Sequence, residues 1–255
     1  MLLRVISTGS RIGNCYALES EAGEILLLDF GCKSKTILRG INYKISNVIG
    51  ALLTHEHGDH SKSYEWLLQN GIDIYTNDET ADKFEVVTGE KMKGRPENIP
   101  FKIEGFTVIP FYVPHTTRDN DASAIIECPN FGYMISHEEM GNLVYITDME
   151  YCPFSFKKQR VNHFLIECNH MDSMLNKNEA KYEHVIRGHA SLSVTRGIVK
   201  TNKSSDLRNV ILCHLSDLSA DPHVIYDEIK KESGNMVNVA IAEPGYGCKL
   251  SEYPF

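Results

Sequence analysis

The sequence predicts a layered α/β protein: two mixed sheets face to face, with helices outside. Two observations predict it. Short strand-like runs alternate with helical stretches along the whole chain, and the pattern recurs in two similar halves. A third sets the scale: 255 residues suffice to bury a sizeable core, and no low-complexity segment, 20–50-residue repeat or long linker interrupts them. One domain spanning residues 1–255 is expected.

In the first half, Leu2–Ser7 reads as a strand, and Gly9-Ser10-Arg11-Ile12-Gly13-Asn14 as a loop of small residues. Cys15–Glu19 and Glu24–Asp29 form a hairpin around Ala22-Gly23. Ser34–Arg39 is a short helix. Asn47–Thr54 is a buried-strand run that ends directly in His55. The helix over Ser61–Gln69 stops at Asn70-Gly71, good C-cap chemistry. Asp73–Thr76 is a strand, Glu79–Val87 a helix, and Thr88–Pro100 a loop.

The second half opens with strands Phe101–Glu104 and Thr107–Tyr112, followed by Ala122–Glu127, Gly132–Ser136 and Asn142–Thr147. Val161–Glu167 is a strand and Ser191–Thr201 a helix. Val210–His214 is a strand ending on a histidine. Asp221-Pro222 supplies an N-cap and N1 pair for a helix running to about Lys231, and Val237–Ala242 closes the chain as a strand.

The formal net charge is −8, unsuited to broad passive binding of duplex nucleic acid, which Lys and Arg contacts to phosphate drive. A small basic pocket, or metals supplying positive charge, stays open. The seven cysteines are scattered, odd in number and never spaced C-x-x-C, so inert core thiols in a reducing compartment are expected. The start, MLLRVISTGS, lacks signal-peptide character, and no apolar run approaches the roughly 18–20 residues of a membrane span. A cytoplasmic protein without membrane contact is expected.

The decisive feature is Thr54-His55-Glu56-His57-Gly58-Asp59-His60, which places four potential metal ligands within six residues at a strand end. At the end of an extended run, residues two apart share a side, so His55 and His57 can reach one metal. Asp59 and His60 lie beyond a glycine turn and can face a second. Imidazole and carboxylate ligands suit zinc first, and also manganese or iron. Two such ions would polarise a water for hydrolysis of a phosphodiester or another polarised ester or amide. Four unpaired buried groups would otherwise cost several kcal/mol each.

THEHGDH resembles the signature of the metallo-β-lactamase superfamily, and the resemblance covers nearly the whole chain. LLLDFG is similar to the strand that ends under the site, Val113–His115 to the third histidine motif, Tyr145–Asp148 to the metal-bridging aspartate motif, and Cys213–Ser216 to the last histidine motif. The resemblance implies an αββα sandwich and a dinuclear metallohydrolase. His55, His57 and His115 would hold one metal, Asp59, His60 and His214 the other, and Asp148 would bridge them.

Within the superfamily the chain resembles the YycJ (WalJ)-like branch, regarded as DNA exonucleases related in fold to tRNase Z. The carriers are VISTGSRIGN, Phe164–His170 (FLIECNH) and Gly188–Val199 (GHASLSVTRGIV). Met171 stands where that branch has an aspartate, so no role carries over to Asp172. The resemblance implies catalytic work for Asp59, His170 and His189 and a substrate contact from Ser10. Arg118 reads either as a phosphate contact or as a solvated loop charge, and the helix start at Ser191 as a place that favours an anionic group. Ser191 also reads as a helix N-cap, and Arg118, Asp119 and Asn120 as a polar loop. His137, His163, His184 and His223 show no ligand context. The interval from Asp148 to His214 is too short for a β-CASP insertion, and Thr88–Pro100 is too brief for a tRNase Z-type arm.

The reading is therefore a metal-dependent phosphodiesterase, most simply a DNA exonuclease, acting on nucleic acid and possible as a homodimer. One alternative is a cyclic nucleotide phosphodiesterase of the phage anti-Pycsar kind, with Tyr112, Tyr151 or Phe154 stacking on the base. Another is a lactone or thioester hydrolase. A non-enzymatic metal-binding module would lack a ligand, and all seven are present.

Overall fold

The computed structural model describes residues 1–88, 92–118, 124–179 and 182–253. The amino-terminal half supplies strands β1 (Leu2–Ser7), β2 (Cys15–Glu19) and β3 (Ile25–Leu28), helix α1 (Ser34–Gly40) and strand β4 (Val48–Leu52). Helices α2 (Gly58–Ser61) and α3 (Tyr64–Gln69), strand β5 (Ile74–Thr76), helix α4 (Asp78–Thr88) and strand β6 (Lys93–Gly94) follow. The second half runs through β7 (Phe101–Ile103), β8 (Phe106–Tyr112), β9 (Thr116–Arg118), β10 (Ile125–Glu127), β11 (Phe131–His137), β12 (Gly141–Ile146) and β13 (Val161–Glu167). It ends with α5 (Tyr182–Gly188), α6 (Leu192–Asn202), β14 (Asn209–Cys213), α7 (Pro222–Ser233), β15 (Asn238–Ile241) and β16 (Gly247–Lys249).

One sheet has the order β16-β1-β2-β3-β4-β5-β6 and the other β15-β14-β13-β12-β11-β8-β7, while β9 and β10 pair separately. Side chains alternate between the two faces of each strand. Leu3, Tyr16, Leu18, Leu26 and Leu28 of the first sheet therefore meet Phe106, Val108, Tyr133, Leu143 and Tyr145 of the second in a shared core. The opposite faces carry the helices. Leu27 and Ala17 pack with Ile37 of α1 and Leu67 of α3, while Phe164 and Leu212 pack with Val199 of α6 and Ile225 of α7. This is the αββα sandwich. Its parallel strands are apolar on both faces because both are covered.

Strand direction decides where chemistry can be mounted. β3–β6 run parallel, as do β12–β15, and β8, antiparallel to β11, shares the direction of β12. The carboxyl ends of β3, β4, β8, β12, β13 and β14 are followed by Asp29, His55, His115, Asp148, the run from Glu167, and His214. Loops at such strand ends carry sites because the sheet beneath is rigid.

Several elements differ from the sequence reading. The helix expected over Ser61–Gln69 is two helices: Ser63 donates its N–H to the Phe30 carbonyl and its hydroxyl to the Cys32 carbonyl, which draws the chain off the axis between α2 and α3. The strand Val237–Ala242 does not close the chain, because β16 pairs with β1. β9 lies in the segment read as a polar loop, β6 within Thr88–Pro100, and α5 was not read at all. Asp119 and Asn120 lie outside the described residues. The seven cysteines are unpaired, and all but Cys152 are buried. Among the described residues no helix is long and apolar enough to cross a membrane.

His163 is fully buried on β13, where it donates from Nε2 to the Met140 carbonyl (2.9 Å) and accepts at Nδ1 from the Asn209 amide (2.9 Å). Burial pushes its pKa down to about 4. The fold therefore holds it neutral while the unfolded chain takes a proton near pH 6.5. Its contribution is complete above pH 6.5 and is lost as pH falls toward 4, by about 3 kcal/mol in all. In urea unfolding followed from pH 7 to pH 4, His163→Gln is expected to lose stability less steeply than wild type, by about one proton. Equal slopes would contradict this.

Candidate metal centre

Three residues at these strand ends adopt left-handed backbone conformations: Asp29 (φ 53°), Asp148 (φ 51°) and His214 (φ 55°). Non-glycine residues seldom do so, though aspartate and histidine tolerate it best, and such strain gathers at functional sites. The turn carrying His57–His60 is held from below. Asn14 N–H donates to the Asp59 carbonyl, Phe30 N–H to the His60 carbonyl, and Gly31 N–H to the Asn14 carbonyl. A Cβ on Gly31 would run into the Asp59 carbonyl, so only glycine lets these segments stack.

All seven expected ligands converge. His57 Nδ1 lies 2.9 Å from His55 Nε2 and 3.2 Å from His115 Nε2, and Asp148 Oδ2 lies 3.8 Å from His55 Nε2. Beside this group, His60 Nε2 lies 3.6 Å from Asp59 Oδ2 and 3.3 Å from Asp148 Oδ1. His214 Nε2 is 3.4 Å from Asp59 Oδ2 and 3.7 Å from Asp148 Oδ1. Asp148 thus turns one oxygen toward each group.

A layer of partners behind the imidazoles fixes which nitrogen faces inward. His55 Nδ1 donates to the Thr54 hydroxyl (3.0 Å), His60 Nδ1 to Asp29 (2.7 Å), His115 Nδ1 to the Gly188 carbonyl (2.8 Å) and His214 Nδ1 to Glu167 (3.0 Å). The Nε2 lone pairs of His55 and His115 therefore both point at His57 Nδ1, which carries at most one proton. A cation satisfies all three nitrogens where hydrogen bonding cannot, so the donor set fits a divalent metal. Asp59, His60, His214 and Asp148 form a second such set.

The two sets differ electrically. Burial, aided by the neighbouring imidazoles, pushes His55 well below its usual pKa, and burial takes His115 down to about 3. Burial also opposes charge on His60 and His214, but the carboxylates facing them prevail. His60 rises well above its usual value, and His214 to about 10. Asp148 resists the effect of burial and stays well below the carboxylate range through His214 and His60.

The model of the Beta-lactamase superfamily domain matches residues 37–215, most of the chain and every ligand named above. The chain belongs to this superfamily. The exodeoxyribonuclease YycJ of Bacillus anthracis is 25% identical over 269 residues, covering 95% of this chain and 90% of that protein. Unliganded yeast PDE1 superposes with a TM-score of 0.73 at 15% identity, covering 98% of this chain and 99% of the other. Human tRNase Z, short form, gives 0.65 at 18% identity, covering 98% and 99%. Superfamily membership and the His/Asp clusters together support a metal-dependent hydrolase.

Two residues of this superfamily site were not singled out in the sequence. Asp29 is fully buried and accepts from the Thr54 N–H (2.9 Å), the Thr54 hydroxyl (3.1 Å), His60 and the Tyr145 hydroxyl (2.5 Å). Glu167, also fully buried, accepts through Oε1 from His189 Nδ1 (2.8 Å) and His214 Nδ1. Its Oε2 accepts from the Met149 and Ala190 N–H groups. Glu167 meets the outward nitrogen of His214, so it orients that imidazole rather than sharing a ligand position. LLLDFG and FLIECNH contained the signal: a lone carboxylate ending an apolar run must find partners.

The remaining candidates separate. His189 stacks on His214, with centroids 5.2 Å apart, and lines a cleft with Ser10, whose Oγ lies 3.3 Å from His214 Nε2. His170 is not brought into the cluster. It is 1% exposed, its Nδ1 has no partner, and among the described residues it makes no hydrogen bond or ring contact with a ligand. Ser191 is buried, and its Oγ accepts from the Val194 N–H as the N-cap of α6, so its polar group is already used. Arg118 ends β9, and its side chain falls outside what is described.

His57→Ala and Asp148→Ala are each expected to lose at least one equivalent of bound metal by elemental analysis, with an unchanged circular dichroism spectrum. Full metal content in either folded variant would remove these residues from the ligand set.

Proposed function

We propose that the protein is a phosphodiesterase holding two divalent cations, zinc first, and that its substrate is the end of a DNA strand. One observation carries this reading. Two clefts of about 740 and 760 Å³ adjoin the ligand cluster, one lined by the ligand His115 and the other by His189, which stacks on His214. Each is of a size that holds a small organic ligand. A diester has two arms, and the clefts offer a place for each. The similarity to an exodeoxyribonuclease supports a nucleic-acid end as substrate.

Divalent cations, which the seven ligands would hold, would supply Lewis acidity toward a phosphoryl oxygen and a water. The chain's own groups do the rest. Asp59, whose side chain is 23% exposed, can accept a proton from the incoming water. His189 faces its cleft with Nε2 because Nδ1 is bound to Glu167. Burial opposes its charge, but Glu167 raises its pKa, so it carries a proton for the departing alkoxide. The Ser10 hydroxyl beside His214 can donate to a phosphate oxygen.

A cyclic nucleotide is the second reading. It is favoured by the His115 cleft, which has aromatic walls and four glutamates, unsuited to a long polyanion.

A panel of single-stranded DNA, duplex DNA, short RNA, 3′,5′-cyclic nucleotides and a lactone tests these readings, with His57→Ala as blank. Metal-dependent shortening of DNA from an end is expected. Opening of cyclic nucleotides with polymers intact selects the second reading, and lactone turnover with every diester untouched overturns both. His189→Ala is expected to slow release of a nucleoside about 10²-fold but to change release of p-nitrophenol, which needs no proton, far less. Equal losses on both would deny His189 the role of acid.

A further inference from the structure

We propose that the His115 cleft is a nucleobase subsite that selects bases bearing an exocyclic amino group, adenine foremost. The inference rests on the phosphodiesterase reading and names the part of the substrate that this cleft takes.

Tyr112, Tyr151 and Phe154 line the cleft, and Tyr151 is 50% exposed. Phe154 is braced edge-on against Phe111, at 5.3 Å between centroids, so its ring is positioned before any ligand arrives. Such rings give a planar base a surface to stack on.

The charged groups are nearly all carboxylates. Glu127 and Glu150 line the cleft, and neither side chain has a partner among the described residues. Glu79 and Glu97 are occupied by Tyr112, through its hydroxyl (2.6 Å) and its N–H (3.1 Å). Arg187 is the one cationic residue among the described lining residues. It is the penultimate residue of α5, directly before Gly188, whose carbonyl holds His115, and thus belongs to the wall beside the metal ligands.

The floor supplies an independent sign. Asn130 is fully buried and lines the same cleft. Its amide nitrogen donates to the Thr147 carbonyl (2.9 Å) and the Asp148 carbonyl (2.6 Å), while its Oδ1 has no donor. Thr116, also on the lining, has an unpartnered buried hydroxyl oxygen. Buried acceptors seldom stay unpaired, and a water, an ion or a ligand donor completes them.

The ligand that fits is flat, rich in N–H donors and poor in negative charge. Adenine presents an amino group to the carboxylates and Asn130 Oδ1, with its ring on the aromatic wall. A base with an oxo group at that position sets acceptor against acceptor, which a site built for donors rejects. A further phosphate would meet Glu127 and Glu150, so the strand ends in this cleft.

The test is calorimetric titration of the purified full chain with adenosine and inosine, which share a purine ring and ribose but differ in amino against oxo. Adenosine is expected to bind at least about tenfold tighter. Tyr151→Ala is expected to weaken adenosine about tenfold, with Tyr151→Phe restoring it, and Glu150→Gln to narrow the gap between the two nucleosides. Equal binding of the two, or none, overturns the subsite. Bis(p-nitrophenyl) phosphate, a diester without a base, separates the two levels. Its metal-dependent turnover without nucleoside preference discards the subsite and keeps the phosphodiesterase. Failure of every diester removes the reading beneath it.

Discussion

Everything at the metal centre leans on the Asp29 carboxylate. A charge this deeply buried is tolerated only when its lone pairs are filled. Asp29 fills them from three directions: the Thr54 N–H and hydroxyl above β4, the His60 imidazole in α2, and the Tyr145 hydroxyl on the opposite sheet. One side chain therefore fixes the spacing of the two sheets at their functional edge, the exit angle of the histidine-rich turn and the tautomer of His60. Glu167 plays the matching part in the second sheet, joining the ends of β12, β13 and β14 to α5 through His189, His214 and two backbone amides.

The legibility of the sequence follows from this arrangement. His55, His57, Asp59 and His60 are contiguous, and His115, Asp148 and His214 each terminate an apolar run, so local pattern exposed them. Asp29 and Glu167 are equally deep in the site but stand alone in their runs. Tyr145 lies 116 positions from Asp29 and His214 lies 47 from Glu167, and nothing local announces such pairs. The elements that escaped reading are short. β6 and β9 lack room for a period, β16 includes a glycine, and α5 is a single stretch of seven residues beside a polar segment. The break between α2 and α3 arises from Ser63 reaching back to Cys32, 31 positions earlier in the chain, which a helical pattern cannot reveal.

The acidic composition gains a location in the fold. Four glutamates stand around the cleft beside His115, while His189 and Ser10 mark the other. The centre that both adjoin is asymmetric as well, with neutral imidazoles on the His115 side and carboxylate-faced imidazoles on the His214 side. A molecule that reached into both clefts would meet a different field in each. Orientation of the substrate can come from that difference without a broad basic surface.

The left-handed backbone at Asp29, Asp148 and His214 also bears on how such a protein can change over generations. A non-glycine residue in that region carries on the order of 1–2 kcal/mol of steric penalty, which glycine would not. At each of these positions a change to glycine eases the local backbone and deletes a group that the centre needs. Proteins persist just above the stability that function demands, and substitutions that ease strain are readily found. Under relaxed selection for activity, descendants of this chain would shed the acidic and imidazole groups at Asp148 and His214 early, while Asp29, which joins the two sheets, would persist.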